Sequence, residues 1–96
     1  MNEVTNNPSG KVGWDKLIKT LSGLSNELDM ANVCDFLFTH EEREQLGKRM
    51  LLTQALINPQ KSQRDIAKEI GVSICTVTRC SNALKSCNDK IKTVLK

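Results

Sequence analysis

From Trp14 onward the apolar residues recur every three or four positions: Trp14, Leu17, Ile18, Leu21, Leu24 and Leu28. That period predicts a helix with one apolar face. Gly23, Ser25 and Asn26 interrupt the pattern. A second helix is predicted over Glu27 to Phe38, with Leu28, Val33, Phe36 and Leu37 turned inward. Thr39-His40-Glu41-Glu42 then has the form of a capping box. In it the threonine hydroxyl accepts from the Glu42 amide and the Glu42 carboxylate reaches back. A long helix should follow to about Ile57, with Leu46, Met50, Thr53 and Leu56 on its apolar side, and Asn58-Pro59 ends it. No stretch alternates at period two and no Asn-Gly or Asp-Gly hairpin occurs, so the pattern predicts an all-α chain of about six helices.

The stretch from Gln63 to Asn82 reads as two short helices around a tight turn, the layout of a helix-turn-helix spanning about 62–84. Ser62 caps the first helix, with Asp65 three residues on. Ile66 and Ile70 face inward, and Ala67 between them leaves room for a close approach. Gly71 sits where the chain needs φ > 0 to leave that helix. Val72 plugs the turn, Ser73 caps the second helix, and Val77 returns to the core. Ser62, Gln63, Arg64, Thr76, Thr78 and Arg79 form an exposed polar set suited to phosphates and base edges. After Leu84, Ser86-Cys87-Asn88-Asp89 opens a last short helix with Ile91, Val94 and Leu95 on its apolar side.

Charge sharpens this picture. Residues 1–60 carry six Lys/Arg against eight Asp/Glu, a net of −2; residues 61–96 carry eight against three, a net of +5. The basic half is the half with the motif, as a partner to a polyanion requires. Only Trp14, Phe36 and Phe38 are aromatic, so aliphatic side chains must build most of the core. Residues 1–11 are polar, hold Pro8 and Gly10, and read as a flexible arm; 12–96 read as a single helical domain. The helices before the motif are too apolar for 96 residues to cover, which predicts a helical homodimer.

Cys34, Cys75, Cys80 and Cys87 lack zinc-ligand spacing, and the single histidine, His40, is remote from them. No metal is expected, and free thiols in a reducing cytoplasm are. No apolar run is long enough to span a membrane. No catalytic residues are expected, because the chain offers no nucleophile–base pairing, carboxylate dyad or phosphate loop.

Three strings carry a resemblance, THEEREQLGKR (39–49), SQRDIAKEIG (62–71) and TVTRCSNALK (76–85); the first and last are specific, whereas a generic helix-turn-helix would supply the middle one. They resemble the Trp repressor family of bacteria, over about Phe38 to Lys85 and more weakly back to Trp14. The resemblance implies an intertwined homodimer, L-tryptophan as corepressor, and repression of tryptophan genes at a palindromic double-stranded DNA operator. Residue by residue it places Thr39 on the ligand carboxylate, Arg49 against one face of the indole, and Arg79 over the other face and on the carboxylate. Two guanidinium planes can sandwich an aromatic ring, and one can pair with a carboxylate. Phe36 and Phe38 fall where the family offers backbone carbonyls to the ammonium group.

Ala83 stands where the family commonly has a serine near that ammonium, Cys80 where it has a glycine beside the second arginine, and Ala67 where it has a lysine near DNA, next to Lys68. For DNA, the resemblance places Ser73, Ile74, Cys75, Thr76 and Thr78 at the groove-facing start of the second motif helix. It puts Arg64 on a base or phosphate, and Gln63 and Lys85 on phosphates. Two alternatives stand beside this reading. One is a regulator of the same fold that does not use tryptophan; the other is a helical protein-interaction module, which the basic C-terminal half disfavours.

Overall fold

The computed structural model describes residues 9–96, and within them six α-helices and no strand occur. The chain divides into two compact units, residues 1–39 and 40–96.

In the first unit, α1 (Gly10–Ser22) starts on Ser9, whose hydroxyl accepts from the Val12 amide at 3.4 Å. Of the arm expected over residues 1–11, Gly10 and Lys11 therefore already belong to a helix, and residues 1–8 lie outside the described residues. Gly23 caps the C-terminus, as the break in the pattern anticipated. α2 (Glu27–Leu37) starts on Asn26, whose side chain accepts from the Asp29 amide at 3.1 Å. Neither helix contains a buried residue. The inward orientation expected for α2 is therefore corrected: Leu28, Phe36 and Leu37 are exposed, Phe36 by 87%, and Val33 is half-buried. Trp14 is also more than half exposed. The apolar period is real, but the face it marks stays in solvent in the single chain.

The second unit holds the core. It contains α3 (His40–Ile57), α4 (Gln63–Ile70), α5 (Ile74–Lys85) and α6 (Asp89–Leu95). Leu52 of α3, Ile66 and Ala67 of α4, and Val77 of α5 are buried together, with Ala55, Leu56, Ile70, Val72 and Cys80 packed around them. Burying an aliphatic side chain of this size contributes about 1.5–3 kcal/mol. On α3 the expected stripe holds at Thr53, which is buried, and at Leu56, which packs on the core; Leu52 is buried as well, whereas Leu46 and Met50 are exposed. α6 packs on α3.

Local chemistry fixes the ends of these helices. α3 begins directly after Thr39, where the capping box predicts its start. The Ser62 hydroxyl accepts from the Asp65 amide at 3.1 Å to start α4. Gly71 ends it with φ of 84°, and the Gly71 and Val72 amides both donate to the Ala67 carbonyl, at 2.9 and 3.0 Å. A side chain at this left-handed position would be strained. Ser73 then caps α5 by accepting from the Thr76 amide at 3.1 Å. Asn88 does the same for α6 through the Ile91 amide at 2.9 Å.

Candidate functional site

Two features of the second unit stand out. The first is a cavity of about 500 Å³ bounded by α3, α5, the α4–α5 turn and the end of α6. Arg49 enters it from α3; Arg79, Cys80 and Ala83 enter from α5. Four of the seven residues expected around a ligand thus share one wall system. The spacing explains the α5 contribution, since 79, 80 and 83 fall within one turn on one face. Leu52, Val72, Leu84 and Leu95 supply apolar walls, and Lys48 adds a third cation. Among the described residues neither Arg49 nor Arg79 is ion-paired, and no carboxylate lines the cavity. A planar apolar group with an anionic end is what such a donor set fits. Phe36, Phe38 and Thr39 belong to the first unit; the Phe38 backbone amide donates to the Cys34 carbonyl at 2.9 Å, closing α2.

Sequence reasoning missed the role of Thr53. It is 9% exposed, and its hydroxyl donates to the Arg49 carbonyl at 2.8 Å. With that hydrogen committed, the 3.7 Å contact between Thr53 Oγ1 and Cys80 Sγ has the thiol as donor. Thr53 therefore holds the Cys80 sulfur at the cavity wall. Its place four residues after Arg49 was the available signal, but the pairing with Cys80 spans 27 residues and needs the folded chain. Cys87 and Leu95 were missed for the same reason. The four cysteines form no disulfide, and no metal-binding cluster occurs among the described residues.

The second feature is the outer surface of α4 and α5. Ile74, Cys75 and Thr78 are exposed on the first turns of α5, away from Val77. Ser73 and Thr76, also exposed, are tied to each other through their hydroxyls at 2.9 Å, and Thr76 also lines the cavity. Arg64 and Lys68 lie four apart and exposed on α4. Gln63 Nε2 donates to Ser81 Oγ at 3.2 Å, joining the start of α4 to α5, and Lys85 Nζ donates to Asn82 Oδ1 at 3.5 Å. Lys61 pairs with Glu69 at 2.6 Å. The residues at the start of α5 thus stand clear of the core, and Arg64 and Lys68 are exposed on α4.

Two short helices present this surface, and a ligand-sized cavity lies behind the second of them. The sequence profile of the family described as Trp repressor protein matches residues 12–96. A Trp operon repressor homolog of Chlamydia caviae is 38% identical over 88 residues, which is 92% of this chain and 87% of the relative. A Trp operon repressor homolog of Vibrio campbellii is 34% identical over 85% of this chain and 86% of the relative, and one of Photobacterium profundum is 35% identical over 82% and 77%. The chain belongs to the Trp repressor family. It is a DNA-binding transcriptional repressor of that family and not an enzyme. No helix among the described residues is long and apolar enough to cross a membrane.

Proposed function

We propose that this protein is a cytoplasmic homodimer that represses tryptophan-metabolism genes at a palindromic operator when L-tryptophan fills the α3–α5 cavity. The observation that carries this reading is the pair Arg49 and Arg79, facing one cavity from two helices, one of which begins at the DNA-facing surface. Arg79 supplies a ring face and a carboxylate partner; Arg49 supplies a second ring face. The family resemblance adds Phe36, Phe38 and Thr39 as further ligand contacts. Ser73, Ile74, Cys75, Thr76 and Thr78 meet the major groove, and Gln63, Arg64, Lys68 and Lys85 meet its edges and phosphates. Filling the space between α3 and α5 biases the orientation of α5, and a two-fold dimer must place two such helices one turn of DNA apart.

The exposed apolar faces of α1 and α2 support the dimer. Unfolding should then depend on concentration, the midpoint rising as protein is added. A sedimentation mass of one chain at micromolar concentration would exclude the dimer.

A second reading keeps the DNA binding and drops tryptophan. Cys80 and Ala83 on the cavity wall favour it, because one adds bulk and the other offers no hydroxyl. Isothermal titration with L-tryptophan, paired with a gel shift on a palindromic operator with and without it, decides between them. Binding of one ligand per subunit with tighter operator binding supports the first reading; operator binding indifferent to L-tryptophan supports the second.

A further inference from the structure

A smaller concavity of about 200 Å³ lies on the second unit, lined by Leu56 and Ile57 of α3, Ser81, Leu84 and Lys85 of α5, and Lys92 of α6. Its polar groups are all donors or can act as donors. Lys92 is half-buried in the wall and has no ion-pair partner among the described residues. Lys85 spends one N–H on a long contact with Asn82, leaving two. Ser81 Oγ accepts from Gln63 Nε2, so its own hydrogen remains to be donated, and that bond fixes where the hydroxyl sits. No carboxylate lines the site.

We propose that this concavity is a cradle for a DNA backbone phosphate, and that Lys92 extends the DNA interface onto α6. The inference rests on the DNA-binding reading of the chain. The arrangement puts two cations and a hydroxyl on the wall of one concavity of about 200 Å³, roomy enough for a phosphate. The Gln63–Ser81 bond joins it to the start of α4, next to Arg64. A phosphate bound there is held from α5 and α6 together, so α6 contributes to affinity without reading sequence.

The test is the salt dependence of operator binding by the full chain, measured for wild type, Lys92→Ala, Lys92→Gln and Lys90→Ala. Lys90 is exposed on the same helix, carries the same charge and does not line the concavity. Each lost phosphate contact lowers the slope of log K against log salt by about 0.9. Both Lys92 variants should lose about one slope step per subunit, equally on operator and non-operator DNA, with unchanged thermal melts. Lys90→Ala should keep the wild-type slope. The glutamine variant retains most of the side-chain stem, so it carries the test if the alanine variant melts early.

Equal slope losses for Lys90→Ala and Lys92→Ala would overturn the cradle, because net charge alone would explain them. A steep wild-type slope that neither Lys92 variant changes would overturn it while leaving DNA binding intact. No wild-type binding on any duplex would overturn both. Inorganic phosphate added without DNA at fixed ionic strength separates the two sources of the anion. Wild-type stabilisation by phosphate that Lys92→Gln abolishes, with an unchanged DNA slope, would reassign the cradle to free phosphate and overturn the DNA assignment.

Discussion

Arg79→Ala is the sharpest perturbation of the proposed ligand site. Arg79 is exposed, lines the cavity of about 500 Å³ with Arg49, and lies outside the Leu52–Ile66–Ala67–Val77 core. Truncation removes a guanidinium face and a carboxylate partner at once. A cation over an aromatic ring at an exposed site is worth about 0.5–1 kcal/mol. A hydrogen bond to a charged group adds about 1.5–3 kcal/mol. Together they come to roughly 2–4 kcal/mol, or about 30- to 900-fold in Kd. Because no core contact is lost, stability should change by no more than about 0.5 kcal/mol. Isothermal titration with L-tryptophan and a thermal melt of the same preparation measure the two quantities. A variant that melts like wild type and binds L-tryptophan within about threefold of it, a difference below 1 kcal/mol, would refute the placement of the ligand beside Arg79.

Four further outcomes are expected. Arg64→Ala should cost about 1–3 kcal/mol in operator affinity if the side chain reads a base. Uniform weakening on all sequences with a salt slope lower by about one would make it a phosphate contact, and unchanged gel-shift affinity would show that α4 faces elsewhere. Ala83→Ser restores a hydroxyl to the cavity wall and should sharpen discrimination between L-tryptophan and its des-amino analogue by about 2- to 12-fold, the worth of one neutral hydrogen bond, in competitive titration. Gly71→Ala should destabilise by about 1–2 kcal/mol in urea unfolding, from left-handed strain alone. Nothing lies within 4 Å of the added Cβ, so a much larger loss would contradict the geometry of this turn. Leu52→Ala empties the centre of the core and should cost about 2–5 kcal/mol, with operator binding lost in proportion to the unfolded fraction.

Local chemistry made the boundaries of this fold legible. Asn26, Ser62, Ser73 and Asn88 each cap the helix that the pattern starts there, because an N-cap needs only a side-chain acceptor and an amide three residues on. Gly71 was equally readable, since a positive φ is a property of one residue. The family resemblance singled out Arg79, Cys80 and Ala83, and helical spacing puts them on one face of α5. Tertiary structure decided what that face meets. The period of α3 put Thr53 on the inner side, but burying Leu52 while leaving Leu46 and Met50 exposed is set by where α4 and α5 dock. The Thr53–Cys80 contact joins residues 27 apart in sequence through packed helices. The apolar period of α1 and α2 had two possible outcomes, burial within the chain or exposure on it. The period fixes which residues share a face; only the fold decides whether that face is covered, and in the single chain Leu28 and Phe36 are left in solvent.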